Sequence, residues 1–352
     1  MKILYGVVGE GMGHATRSRV ILNHLVRKHE VEIVVSGHAH SYLTKVFPNV
    51  KEIEGLKMAY ENNEVDRSKT FWDLLKRLPK MVTSNFDEFI KLGERFRPDV
   101  VVSDFESFAY MFGKHNNIPV ISIDNMQVMN RCELDLEIPE ENQADYTLAK
   151  TIVKAKLPGC FHYLVTSFFF PPTRKENTSL FPPILRDEIL EAERSEGEHL
   201  LVYQTSTDND KLLDILQELN LPCRVYGFRR DEKIGQLQLR DFSEDGFIAD
   251  LASARGVLAT GGFSLMGEAV YLGKPLLAVP LRKQFEQLLN SLYLRKMGYG
   301  DFVEELTAEA VLGFWKRLDE YRDNLKGHHQ DGNQAILGTL DRLIEEAAEL
   351  RR

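Results

Sequence analysis

The stretch Gly256–Gly300, GVLATGGFSLMGEAVYLGKPLLAVPLRKQFEQLLNSLYLRKMGYG, decides the fold. Its first residues, Gly256–Ala259, read as a short buried strand that runs into the paired glycines Gly261 and Gly262. A helical run follows, and Leu276–Val279 reads as a second strand. Strand, glycine turn, helix and strand in that order form a βαβ unit of a parallel sheet. The unpaired N–H groups at the helix start make the turn an anion site that needs no metal.

The same alternation extends outward in both directions. Leu200–Gln204 and Cys223–Gly227 read as strands, with a helix at Lys211–Leu219 between them. In the first half, Ile3–Val8, Val31–Ser36, Val100–Ser103, Pro119–Ile123 and Tyr163–Thr166 are β-rich runs, with helical patterns between most of them. The halves meet where Pro171-Pro172 and Pro182-Pro183 forbid helix and interrupt strand pairing, which predicts an interdomain linker over 170–187. The expected organisation is therefore a first domain over 1–169, the linker, a second domain over 188–332, and a terminal helix over 333–352 that packs back on the first domain.

Composition supports two soluble cores and narrows the partners. The chain has 352 residues, 43% hydrophobic and 28% charged, which is enough for two domains. Its 44 Lys and Arg against 53 Asp and Glu give a net charge of −9, which would repel a polyanion, so nucleic acid is not an expected partner. Cys132, Cys160 and Cys223 are too few and too scattered for a disulfide framework or paired zinc-ligand spacing, and suit a reducing cytoplasm. The apolar run Ile3–Val8 is interrupted by glycines before a signal core or membrane span is complete, so a cytoplasmic location is expected.

After the first strand comes Gly9-Glu10-Gly11-Met12-Gly13-His14, followed by the helical run Ala15–Arg27. Two familiar glycine loops do not fit. G-x-G-x-x-G is not matched and no acidic residue closes the second strand, which weakens an NAD-dependent oxidoreductase, and G-x-x-x-x-G-K-[ST] is absent. His14 stands out, because a helix N-terminus disfavours imidazolium and keeps the ring neutral, as a general base requires. The competing reading is a histidine that only hydrogen-bonds in a turn. Asp104, just past the strand Val100–Ser103 on the same sheet edge, is the candidate that orients the ring; its competing reading is an N-cap for the helix Phe105–Lys114.

These motifs resemble those of the UDP-glycosyltransferase superfamily with the two-domain GT-B fold, which includes the peptidoglycan lipid-intermediate N-acetylglucosaminyltransferase. The resemblance rests on Gly261-Gly262-Phe263-Ser264, Glu268-Ala269, Gly273-Lys274-Pro275 and Glu286-Gln287-x-x-Asn290, and reaches the first half through Gly11-Met12-Gly13-His14. It implies an α/β fold of two Rossmann-like domains facing each other across a cleft, with a C-terminal helix. The implied activity is transfer of a sugar from a nucleotide-sugar donor, UDP-linked, to an acceptor hydroxyl, with inversion and without a metal or other cofactor. By the same resemblance Gly11, Gly13, Gly261, Gly262, Phe263 and Ser264 contact the donor, with the Gly-Gly-x-Ser turn on its diphosphate. Glu268 takes the ribose hydroxyls, Glu286 and Gln287 read the sugar, Thr205 and Ser206 stand in a second phosphate loop, and main chain around Phe247 and Ile248 reads the base.

Asp208-Asn209-Asp210 offers a D-x-D of the kind that binds divalent metal, but it opens a predicted helix, where Asp serves as cap and first-turn residue. On the acceptor side, Phe71, Leu74, Leu75, Leu78 and Met81 share a helical face beside Lys69, Lys76, Arg77 and Lys80. Segment 69–81 is thus a candidate for contact with an anionic membrane surface at its inner face, serving a lipid-linked acceptor; a core-facing helix and a small-molecule acceptor are the alternatives. Two other functions remain open at this point, a sugar-nucleotide 2-epimerase of the same fold and a non-catalytic nucleotide-sugar binder.

Overall fold

A computed structural model describes residues 1–9, 11–54, 60–61, 64–65, 85–204, 210–328 and 330–351. The chain divides into two units. One comprises Met1–Glu61, Val65–Arg186 and Gly332–Arg352, and the other Asn62–Glu64 and Asp187–Asp331.

The first unit is built on a seven-stranded sheet of β1 (Lys2–Val7), β2 (Glu30–Ser36), β3 (Val50–Ile53), β4 (Val100–Asp104), β5 (Val120–Asp124), β6 (His162–Thr166) and β7 (Thr178–Phe181). Their spatial order is β3-β2-β1-β4-β5-β6-β7, and the pairs run parallel. The order reverses between β1 and β4, which makes the carboxyl ends of those two strands the topological switch point of the sheet. β4 and β5 are buried at every position, as expected of strands covered on both faces. On one face, Ile3, Tyr5, Val7, Val31, Ile33 and Val102 pack with Ile21, Leu22 and Leu25 of α1 (Met12–Leu25). On the other, α2 (Ser107–His115) buries Phe108, Ala109 and Phe112.

The second unit repeats the plan. β8 (Leu200–Tyr203), β9 (Cys223–Tyr226), β10 (Glu232–Ile234), β11 (Leu237–Arg240), β12 (Gly256–Ala259), β13 (Leu276–Ala278) and β14 (Gly300–Phe302) stand in the order β10-β11-β9-β8-β12-β13-β14. All neighbours are parallel except the hairpin β10 with β11. The switch point lies between β8 and β12, where the Gly261-Gly262 turn begins. Three helices bear on the site here: α3 (Glu244–Ser253), α4 (Phe263–Tyr271) and α5 (Phe285–Lys296).

Two expectations need correction. The interval 170–187 is not all linker, because Thr178–Phe181 joins β6 in parallel, Tyr163 opposite Thr178, and the chain leaves the first unit only after Arg186. The proline pairs bracket the strand instead of entering it, and an edge strand needs backbone donors on one side only. The first helix begins at Met12 rather than Ala15, so Gly13 and His14 sit in its first turn.

The terminal helix α6 (Asn333–Glu349) belongs to the first unit. Ile336, Leu340, Leu343, Ile344 and Ala347 enter the same apolar cluster as β1 and α1. The Asn333 side chain fixes the helix start by accepting from Leu185 N at 2.9 Å and donating to Leu185 O at 2.7 Å. Asp341 meets His24 Nε2 at 2.8 Å and Lys28 Nζ at 2.7 Å.

Candidate functional site

Strand register places the first half of the site. Val7 pairs with Asp104, so the glycine loop after β1 and the last residue of β4 emerge side by side at the carboxyl edge. Gly9 passes so close to Ser36 that a Cβ there would stand 1.5 Å from its carbonyl oxygen. Gly11 is the N-cap of α1 at φ 85, a left-handed backbone that side chains rarely adopt, with open space around it. Gly11 has no side chain with which to cap this helix.

His14 Nδ1 lies 2.7 Å from Asp104 Oδ1. Its Nε2 makes no hydrogen bond with any described residue, and 17% of the side chain reaches solvent. Burial, with the Arg17 cation second, lowers the pKa of His14, while Asp104 opposes the shift, so the net effect favours the neutral ring. Asp104 is fully buried and is not the cap of α2; Glu106 fills that place by accepting from Phe108 N and Ala109 N, each at 2.7 Å. Phe105 between them adopts φ 51, an uncommon conformation for a bulky residue, and Lys156 stands 3.9 Å over its ring.

The structure adds partners that the motif did not reveal. Arg17 Nε donates to Asp104 Oδ2 at 2.8 Å, Arg17 Nη2 reaches Oδ1, and Ser18 Oγ donates to Oδ2 at 2.9 Å. Arg17 Nη1 donates to Asn125 Oδ1 at 2.8 Å. Burial alone would raise the Asp104 carboxyl, but Arg17 and His14 overcome it and hold the group well below the usual carboxylate range. Asp124, at the end of β5, accepts from Ser122 Oγ and Gln127 N, each at 2.8 Å, and burial pushes it up to about 6. The only sequence signal for Arg17 is its place three residues after His14, on the same helical face.

In the second unit the paired-glycine turn joins β12 to α4. Gly262 is the N-cap of α4 and has no side chain to cap it, and Phe263 and Ser264 form the first turn of the helix. Gly261 is fixed by close approach, since a Cβ would meet Gln287 O at 2.4 Å and Ser291 Oγ at 2.8 Å on α5. Asn290 Nδ2 donates to Gly261 O at 3.0 Å and to Glu286 Oε1 at 3.1 Å, so the turn and the first residue pair of α5 are tied together. Gln287 Oε1 accepts from Leu281 N at 3.0 Å and its Nε2 donates to Gln284 Oε1 at 2.6 Å. Gln287 thereby shapes the loop after β13, a role the motif alone did not disclose. Glu268 is 6% exposed, so it is not a solvated helix glutamate.

Other expected contacts fare differently. Phe247 and Ile248, expected to present main-chain groups to the base, lie inside α3, where Phe247 N donates to Ser243 O at 2.8 Å. Helix entry at Ser243, whose side chain caps Gly246 N, accounts for this. The Phe247 ring is buried against Tyr226 and Tyr203, with centroids 5.1 and 5.5 Å away. Thr205, Ser206, Asp208, Asn209 and segment 69–81 lie outside the described residues. Among the described residues, no group of three His, Cys, Asp or Glu is placed to hold a metal, and no helix is long and apolar enough to cross a membrane.

A cavity of about 350 Å³ opens at the carboxyl ends of β8, β12 and β13, lined by Tyr203, Gln204, Thr260, Pro280, Leu281 and Arg282 among others. Gln204 is buried, and neither its Nε2 nor its Oε1 has a hydrogen-bond partner among the described residues. A buried amide with both ends unmet, on a cavity at the switch point, suits a polar ligand.

Comparison with known proteins agrees with this architecture. An uncharacterized glycosyltransferase of Methanosarcina mazei is 26% identical, over 97% of this chain and 98% of the relative. The solved structure of CalG4, the calicheamicin glycosyltransferase, aligns with a TM-score of 0.68 at 16% identity, covering 98% of each chain. Phytolacca americana UGT2, complexed with UDP-2fluoro-glucose and pterostilbene, aligns with a TM-score of 0.65 at 13% identity over 98% of each chain. The shared architecture is the GT-B fold, and the glycosyl transferase family 1 model matches residues 1–319. Over residues 1–319 the chain is a member of glycosyl transferase family 1, and it is a glycosyltransferase.

Proposed function

We propose that the enzyme moves a sugar from a UDP-linked donor to an acceptor hydroxyl with inversion at the anomeric carbon, and that His14 is the general base. The observation that carries this reading is the contact of His14 Nδ1 with Asp104 at 2.7 Å, which leaves Nε2 without a described partner. Nε2 takes the hydroxyl proton as the acceptor oxygen bonds to the anomeric carbon. The bond from that carbon to the phosphate oxygen breaks, and the nucleoside diphosphate leaves with the electron pair. Amides at the mouth of α4 meet its charge without a metal ion, while the buried Glu268 faces the ribose diol and the unmet Gln204 amide meets a polar group of the donor. The UDP in the complex of the Phytolacca americana enzyme supports the choice of nucleotide.

A thermal-shift screen of sugar nucleotides identifies the donor, since a ligand bound to the native state raises the melting temperature. Product analysis with that donor and an acceptor panel, lipid-linked acceptors included, then identifies the reaction. His14→Ala is expected to lower turnover by about 10²–10⁴-fold while keeping the donor-induced shift. Undiminished turnover in that variant would remove His14 from the chemistry.

A further inference from the structure

Asp104 offers two oxygens to four donors. Oδ1 faces His14 Nδ1 and Arg17 Nη2, and Oδ2 accepts from Arg17 Nε and Ser18 Oγ. Arg17 Nη2 also stands 2.6 Å from His14 Nδ1. A ring nitrogen cannot donate to the carboxylate and accept from the guanidinium at once. With a proton on Nδ1 the ring bonds Asp104 but opposes the Nη2 hydrogens; without one it accepts from Nη2 and turns a lone pair toward the carboxylate. An imidazolium would sharpen the first conflict, because two cations would then share one carboxylate at close range. In a simple histidine and aspartate pair the whole negative charge supports the protonated ring. Here a buried guanidinium, anchored also on Asn125, has already matched it.

We infer that Arg17 is a positioning residue that competes with the His14 ring for Asp104 and holds the imidazole uncharged. The catalytic part of this rests on His14 being the base. Among the described residues, the other charges near the ring are Lys156, from the helix Gln143–Lys156, which acts in the same direction as Arg17, and Asp104 from β4, which opposes both. Asp124 from β5 acts on Arg17 itself. Arg17 is thus the cation that touches both the ring and its carboxylate.

Histidine-ring NMR titration of the full-length protein tests this with no substrate present. In Arg17→Gln the carboxylate is unmasked, and the His14 midpoint is expected to rise by about one pH unit or more. The acid limb of the turnover profile should move to higher pH by the same amount, because a base works only when deprotonated. Arg17→Lys keeps the charge but one ammonium cannot span both carboxylate oxygens, so a smaller rise is expected. A wild-type midpoint in folded Arg17→Gln overturns the inference. Should that variant fail to fold, as circular dichroism would reveal, a wild-type midpoint in Arg17→Lys overturns it equally. Turnover that survives His14→Ala while the midpoints move would instead sink the base assignment and leave the tuning by Arg17 standing.

Discussion

Two buried carboxylates at neighbouring strand ends respond to acid in opposite senses. Asp104 titrates below its unfolded value, so its contribution to stability is present above about pH 4 and is lost as pH falls. Asp104→Asn leaves Arg17 buried without its counter-ion, and urea denaturation at pH 7 should show a loss of about 3–5 kcal/mol. Asp124, at about 6, titrates above its unfolded value, so the native state binds the extra proton and stability falls as pH rises through that range. Asp124→Asn keeps an acceptor for Gln127 N and removes the buried charge. It should gain about 1–3 kcal/mol at pH 8, a gain that fades between about pH 6 and pH 4; a loss at pH 8 would show that the charge is compensated. At this scale His14 and Asp104 were legible because glycine spacing and strand position mark them, whereas Arg17 on a helix reads as a solvated cation until burial is known.

The two paired glycines separate a packing requirement from a binding one. Gly261→Ala drives a Cβ into the backbone of α5 and should cost about 1–3 kcal/mol of stability through forced displacement. Among the described residues, Gly262→Ala meets nothing closer than Thr260 Oγ1 at 3.8 Å, so thermal unfolding should change little for it. A large loss in the second variant and none in the first would reverse this account of the turn. Elements with one strongly apolar run were readable from sequence, and the βαβ unit around this turn is the clearest. The edges were not. Val50–Ile53 exposes Lys51 and Glu52, and Glu232–Ile234 and Gly300–Phe302 span three residues each, so none carries enough periodic signal to announce a strand. Phe247 shows the same limit for helix starts, since one turn of difference decides whether its amide is available.

Over the whole molecule, both sheets reverse strand order at the place where a glycine turn begins, which puts the candidate site of each unit at the same feature of topology. The first unit depends on residues far along the chain. Leu340→Ala removes a fully buried side chain from its core and should cost about 2–5 kcal/mol, lowering the first unit's unfolding transition and sparing the second in calorimetry. A shift confined to the second unit would contradict the placement of α6. The helix itself was legible from its Ala, Leu, Ile and Glu pattern, and its return to the first domain was expected; the residues it meets there were not, because contacts about 300 residues apart leave no local mark in one chain. Because the polypeptide departs at Arg186 and returns at Gly332, the second unit is finished before the first has its last layer. During translation, the nascent amino-terminal sheet therefore has an apolar face awaiting cover until the ribosome has passed residue 349, and chaperones that shield such faces should engage this protein there.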